Sequence, residues 1–405
     1  MKGDSLGRYY TGMEVSQIFV NLFKTVHATS ILDLGSGGGA LSLAAARRWF
    51  GARIQTVDVD PSAQRLRTEI SPSGNGGHEH LVADALGENL EELVGGARFD
   101  LGLCNPPYTR IPWRQNFSRI LADASLDDLA LKNNGGISSD ILFIAQLLRL
   151  TRPGAEIGVI VPDGTVSGSR SEAVRKALLK RVSIRQVVQL PRGSFHDTEA
   201  QAYALFFRNE PGNGEEIEIR ELGKGELCPP KWISHSQAAL RMDYKYYRFP
   251  EDPSAGFTLR NIQADIARGG ISSSQAPNCG YPVFHTCNFI QPDPLAYRLP
   301  GNQPCQFRPG WRIAGPGDIL LARVDRKLHR KICLVSAGHA LITDLIYRIR
   351  VPGVWQRKVV EAFLSEEGQT ALMRASRGVG ARMLNKEDLL DITLKTGRCC
   401  DCQQA

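Results

Sequence analysis

No apolar run in this chain approaches the roughly 20 residues needed to span a bilayer. The first residues, MKGDSLGRYYTG, lack the apolar h-region of a secretory signal. No membrane partner is therefore expected, and the expected location is the cytoplasm. Cysteine is present without organisation: there are nine, an odd number, with no framework spacing and three in the terminal CCDC. That usage argues for reduced thiols rather than a disulfide-stapled exported domain. Cys399, Cys400 and Cys402 are too crowded for tetrahedral zinc, so no metal is expected. No repeat period is visible, and no nuclease or helicase stretch.

What is present is an ordinary globular composition, 42% hydrophobic and 22% charged, over 405 residues. That length calls for two or three domains. The net charge of +7 is unevenly spread. Residues 1–256 hold 29 Lys/Arg against 30 Asp/Glu, and residues 257–405 hold 20 against 12. The whole positive excess thus lies in the C-terminal third, as in a domain that meets a polyanion.

The first two hundred residues alternate buried-type strands with helical patterns, the signature of a doubly wound α/β sheet. SILDLG, ARIQTVDVD, HEHLVADAL, FDLGLCN, AEIGVIVP, IRQVVQLP and EAQAYALFFR read as strands, and EVSQIFVNLFKTV and GALSLAAARRWF as helices. A long segment, 109–139, separates the fourth and fifth strands and contains the Asn/Gly-rich KNNGGISS. NEPGNGEE, residues 209–216, reads as linker. After about residue 240 the texture changes to Pro/Gly-punctuated short strands (GDILLARV, KICLVSAG) followed by one helical stretch, VWQRKVVEAFLSEEGQTALMRAS. This predicts a separate α+β module.

Three acidic residues fall at three successive strand ends: Asp33, Asp58 and Asp84. After Asp33 comes GSGGGA, where Gly35, Gly37 and Ala40 satisfy the G-x-G-x-x-A pattern of a nucleotide-binding turn. The loop alone leaves NAD and other nucleoside cofactors equally open. Asp58 is placed to take two ribose hydroxyls and Asp84 an adenine amino group. The fourth strand ends at Asn105-Pro106-Pro107-Tyr108. The two prolines stop the strand and stiffen the turn. An exocyclic adenine amine is a poor nucleophile, because its lone pair is delocalised into the ring. Two fixed acceptors, the Asn105 side-chain carbonyl and the Pro106 main-chain carbonyl, would aim that lone pair and meet the developing positive charge. Tyr108 would supply a face for the base.

In these motifs the sequence resembles the adenine-N6 DNA methyltransferases of γ motif order that use S-adenosylmethionine, including type I modification subunits and type II or IIG enzymes. GRYYTG resembles the N-terminal cofactor motif, with Gly12 where the family usually has Pro. LDLGSGGGAL resembles the methionine-binding motif, VDVD the ribose motif, VADAL the adenine-contacting motif and NPPY the catalytic motif. SSDILFIAQLLRLTRPGAEIGVIVPDG resembles the following helix and strand, and LPRGSFHDTEAQAYALFF the late motif. The resemblance runs in order through residues 7–208. It implies a Rossmann-like S-adenosylmethionine-dependent methyltransferase sheet over residues 1–210. It implies cofactor contacts from Tyr10, Thr11, Asp33, Gly35, Ser36, Gly37, Asp58, Asp84 and Asn105. Catalysis falls to Asn105, Pro106, Pro107 and Tyr108, with Tyr108 and Phe195 gripping an extruded base.

Residues 241–398, after a linker at 211–240, resemble one target-recognition half of a type I specificity subunit, a module fused to some type IIG enzymes. That resemblance implies double-stranded DNA as a partner, with Arg323, Arg326, Lys327, Arg330 and Lys331 as DNA contacts and separately encoded restriction or defence subunits as further partners. Two other functions fit the same motifs. One is an NPPY-type methyltransferase acting on RNA or a protein glutamine, and the other a non-catalytic DNA-binding component of a defence complex.

Overall fold

In the computed structural model, the first helix, α1 (Met13–Asn21), precedes a strand buried at all but its first position, β1 (Ser30–Leu34). The structure describes residues 12–61, 77–132, 136–192, 194, 201–223, 225–248, 256–276, 280–302, 310–378 and 380–395. After β1 the chain winds through α2 (Ala40–Arg48), β2 (Arg53–Asp58), β3 (His78–Val82) and β4 (Phe99–Cys104). A short pair follows, β5 (Arg110–Ile111) and β6 (Ile137–Ser138), with α3 (Asn116–Asp123) between them. Next come α4 (Ser139–Leu150), β7 (Thr151–Pro162), α5 (Glu172–Arg181), β8 (Ser183–Gln189), β9 (Ala202–Arg208), β10 (Ile217–Glu221) and β11 (Lys231–Ile233).

Nine strands form one sheet in the order β11-β10-β8-β9-β7-β4-β1-β2-β3. Strands β3, β2, β1, β4 and β7 are mutually parallel. Strand β9 runs antiparallel between β7 and β8. Its sequence AYALFFR explains how it sits there. Tyr203, Leu205 and Phe207 join the core on one face, and Ala202, Ala204 and Phe206 the core on the other. Period-2 alternation sends successive side chains to opposite faces, so a strand apolar at every position must be buried on both. The second core is aromatic: Phe206 packs against Phe19 and Phe23, and Phe23 against Trp49. Gly158 on β7 makes room for it, since a Cβ there would lie 2.5 Å from the Phe23 ring.

The segment 109–139, read as a long loop, holds β5, α3, a 3-10 turn and β6. Residues 211–240, expected as a linker, contribute β10 and β11 to the sheet edge. A fully buried guanidinium fastens the end of this segment. Arg175 of α5 donates to the carbonyls of Thr165, Gly168, Ala239 and Leu240 at 2.6–3.1 Å. A charge so placed persists only because carbonyl dipoles replace its water. The division into two compact units accordingly falls between residues 248 and 249, and not at 240.

The second unit has a five-stranded sheet in the order Asp265–Arg268, Ile346–Arg350, Ile319–Ala322, Ile332–Ala337, Tyr297–Arg298. The single helical stretch expected after residue 353 is two helices, α6 (Gly353–Leu364) and α7 (Glu366–Ala375). Ser365 separates them in extended backbone, and its Oγ accepts from the Gly368 amide at 3.0 Å as the N-cap of α7.

Candidate functional site

Strand order reverses around β1. The chain moves outward through β2 and β3, then returns to pair β4 on the other side of β1. Loops leaving the carboxyl ends of β1 and β4 therefore diverge and leave a crevice, the usual ligand position in such sheets. A cavity of about 720 Å³ lies there.

Strand β1 ends in Asp33-Leu34, and the backbone then turns through Gly35, Gly37 and Gly39 at φ +70, +50 and +76°. Only glycine takes such angles without strain. Gly35 is also the close approach: a Cβ there would sit 3.1 Å from the Phe143 ring. The Asp33 carboxylate is buried. Its Oδ2 accepts from Ser42 Oγ at 2.6 Å, and its Oδ1 has no partner among the described residues. Burial pushes its pKa up to about 7, and the nearby Asp58 charge adds to the rise. An orphaned, reluctantly ionised carboxylate oxygen in a cavity wall suits a ligand cation or N–H donor. Ser36 Oγ is similarly buried without a partner.

Asp58 closes β2. Its Oδ2 accepts from the Gly37 amide and its Oδ1 from the Asp60 amide, both at 2.8 Å. It therefore holds the glycine turn in shape as well as facing the cavity. Asp84, beyond β3, accepts the Leu86 amide at 2.9 Å on Oδ1 and the Arg114 guanidinium at 2.9 Å on Oδ2. That ion pair is about half exposed, so it contributes little to stability.

At the end of β4, Asn105 and Pro107 line the cavity, whereas Pro106 is buried. The Pro107 carbonyl accepts from Ser139 Oγ. Among the described residues no hydrogen bond reaches the Pro106 carbonyl. Tyr108 differs from its expected place. Its ring packs beside the aromatic core that holds Phe19 and Phe206, outside the cavity lining, and its hydroxyl donates to Asn105 Oδ1 at 2.8 Å.

One cavity thus brings together Asp33, Gly35, Ser36, Gly37, Asp58, Asp84, Asn105 and Pro107. Tyr10, Thr11, Phe195 and the cysteine cluster at 399–402 lie outside the described residues. Sequence reasoning missed Ser139 and Phe143. They stand four apart at the start of α4, hence on one helical face. Only that spacing could have signalled them.

In the second unit the basic run divides. Arg323 Nε donates to the Asp344 carbonyl at 2.8 Å, and burial lowers its pKa. Lys331 Nζ reaches Asp325 at 2.7 Å and the Thr286 carbonyl at 3.0 Å. Arg326, Lys327 and Arg330 are exposed and make no side-chain bond among the described residues. Burial, together with Arg330, Arg382 and Lys327, holds the neighbouring His329 below the usual histidine range. Arg382 arrives through a strand pair with Val324–Asp325 that the sequence did not reveal.

A model of the N-6 DNA methylase family matches residues 1–220. The chain belongs to that family. Among curated relatives, the tRNA1(Val) (adenine(37)-N6)-methyltransferase of Porphyromonas gingivalis is 35% identical over 79 residues, covering 19% of this chain and 31% of that one. The release factor glutamine methyltransferase of Bordetella pertussis is 27% identical over 164 residues, covering 40% and 55%. The chain thus spans less than two thirds of either relative. Among solved structures, the type IIG restriction endonuclease BpuSI aligns over 97% of this chain and 59% of its own, at 14% identity and a TM-score of 0.49. The type I restriction-modification methyltransferase subunit from Streptococcus thermophilus aligns over 56% and 51%, at 20% identity and a TM-score of 0.42.

Proposed function

We propose that this chain transfers a methyl group from S-adenosylmethionine to the N6 amine of an adenine extruded from duplex DNA, as the modifying component of a restriction or phage-defence system. The observation that carries the reading is the meeting of one rigidly held acceptor, Asn105, with a nucleoside-type pocket. Asn105, on its rigid proline turn, lines the same cavity as Asp33, Asp58 and the glycine loop, while the Pro106 carbonyl beside it is unpartnered among the described residues.

The residues present fit this cofactor. Asp33 Oδ1 would take its ammonium group, Asp58 its ribose, and Val59, Leu86 and Phe143 offer apolar surface to the purine. When bound, the cofactor supplies a methyl group on a sulfonium centre. The chain's own residues do the rest. Asn105 Oδ1 and the Pro106 carbonyl accept the two amine N–H bonds, which directs the nitrogen lone pair and stabilises the charge that grows on it. Tyr108 Oη keeps the Asn105 carbonyl in position. A stacked base cannot reach such a cavity, so the adenine must leave the helix, at a cost of a few kcal/mol.

The relatives that modify tRNA and release factors favour a second reading, in which RNA or a protein glutamine is the substrate. Purified protein with methyl-tritiated S-adenosylmethionine, offered duplex DNA, total RNA and release factors separately, discriminates. The expected result is label in DNA, recovered as N6-methyladenine. Label in RNA or protein alone would transfer the chain to the second reading.

Residues 249–398, the expected 241–398 less the eight that belong to the first unit, are proposed as the DNA target-recognition domain, supported by the charge excess and by the exposed Arg326, Lys327 and Arg330. Neutralising Arg326 and Lys327 together should weaken binding to every duplex about equally. It should flatten the log–log salt dependence by roughly 0.9 for each phosphate no longer neutralised. A salt titration of duplex binding measures this, and an unchanged slope would remove both residues from the interface.

A further inference from the structure

The turn after Asn105 leads directly into β5, whose first residue is Arg110. Arg110 lines the same cavity as Asn105 and Pro107 and is exposed. Among the described residues its guanidinium has neither a hydrogen bond nor an ion pair. The other arginine of the cavity, Arg114, is already engaged by Asp84, and its guanidinium lies 5.6 Å from the centre of the Phe117 ring. Among the described residues of the cavity, one arginine is neutralised and one is left over.

The backbone that carries Arg110 is held by its neighbours. Arg110 pairs with Ser138 and Ile111 with Ile137 across the antiparallel β5–β6 ribbon. Gly136 permits that approach: its φ is +142°, and a Cβ there would lie 2.6 Å from the Ile111 carbonyl and 3.5 Å from Arg110 Nε. Ser139 clamps the preceding residue. Its amide donates to the Thr109 carbonyl at 2.9 Å, and its Oγ, which donates to the Pro107 carbonyl, accepts from the Thr109 amide at 3.3 Å. A permanently charged, unpaired guanidinium held on such a frame is preorganised for an anion that arrives from outside.

We infer that Arg110 binds a backbone phosphate of the target strand next to the extruded adenine. This rests on the DNA reading above. Extrusion rotates a nucleotide about its backbone, so the base enters the cavity while the flanking phosphates stay at its mouth. An exposed arginine beside the base-accepting turn meets them there, with the fork geometry that suits phosphate. The contact ties the position of the backbone to the insertion of the base, so it favours substrate DNA over the cofactor.

The test uses the full chain with Arg110→Ala and Arg110→Gln, sheared genomic duplex DNA as the substrate, and calorimetry of S-adenosylmethionine binding. Both variants should bind the cofactor within about twofold of wild type. Their KM for DNA should rise, and the log–log salt slope of kcat/KM should flatten by roughly 0.9. The loss between 50 and 200 mM salt would then be about 3.5-fold smaller than in wild type. Arg110→Lys should largely keep the wild-type slope. An unchanged slope in both neutral variants overturns the inference. So does weakened cofactor binding with an unchanged slope, which would assign Arg110 to the cofactor's carboxylate. Failure of the wild type itself to label DNA overturns the underlying reading, and is told apart because it needs no variant.

Discussion

Asn105→Ala is expected to lower single-turnover methylation by about 10²–10³-fold, the usual cost of deleting one preorganised dipole at a centre of developing charge. S-adenosylmethionine affinity should stay near wild type. The separation follows from the architecture. Asn105 is the first residue beyond a strand whose last residue, Cys104, is fully buried, and two prolines hold the turn after it. Truncating the side chain therefore removes an acceptor without releasing the backbone. The pattern, a fall in kcat and kcat/KM with cofactor binding intact, marks an interaction made chiefly in the transition state. Rapid-quench measurement on duplex DNA checks it, and near-normal turnover would remove Asn105 from the reaction.

Asp33→Asn should act in two opposite directions. The carboxyl has a folded-state pKa of about 7 against an ordinary value of 3.8. A carboxyl raised in this way favours the fold fully below its unfolded value, and that contribution is lost as pH rises through the interval from about 4 to about 7. The slope across the interval is roughly 1.4 kcal/mol per pH unit. The isosteric amide does not ionise. Without cofactor, Asp33→Asn should therefore unfold at a higher temperature than wild type at pH 8, with the difference shrinking toward pH 5. Its affinity for S-adenosylmethionine should fall by about 10- to 150-fold, the equivalent of one charge-assisted hydrogen bond of about 1.5–3 kcal/mol. Wild-type affinity should also weaken as pH drops below about 7, and that dependence should be absent in the variant. Thermal melts and calorimetric titrations at several pH values test both halves. A variant that binds the cofactor normally would show that Asp33 does not hold its cation.

Strands β1 and β4 are legible in the sequence because they are covered on both faces. SILDL and FDLGLC must be apolar nearly throughout, and continuous short apolar runs are easy to see. The glycine turn is legible for a similarly local reason, since three positive φ angles leave little choice of residue. Strands β10 and β11 were hidden. IEIRE carries three charges and KWI is three residues long, and both follow turn-rich stretches that mimic a linker. The break between α6 and α7 was hidden because the helical periodicity continues across Ser365, and only the cap geometry reveals it. At the site, the residues at strand ends could be found, because topology brings strand ends together. The Tyr108 hydroxyl and the Asp84–Arg114 pair could not, because they depend on side-chain directions set by distant packing.

The antiparallel β9 has a consequence for the birth of the protein. It fills the slot between β7 and β8, yet it is made after both. Between the emergence of β7 from the ribosome and that of β9, about 40 residues later and a matter of seconds at roughly 5–20 residues per second, β7 presents an open, apolar edge. When β8 emerges, it too has an unpaired flank, and nothing earlier in the chain can cover either one. Such edges are templates for pairing with other chains. A ribosome that stalls before Ala202 would release a fragment that holds the strands around the cavity and is also exposed to aggregation along the seam where β9 belongs.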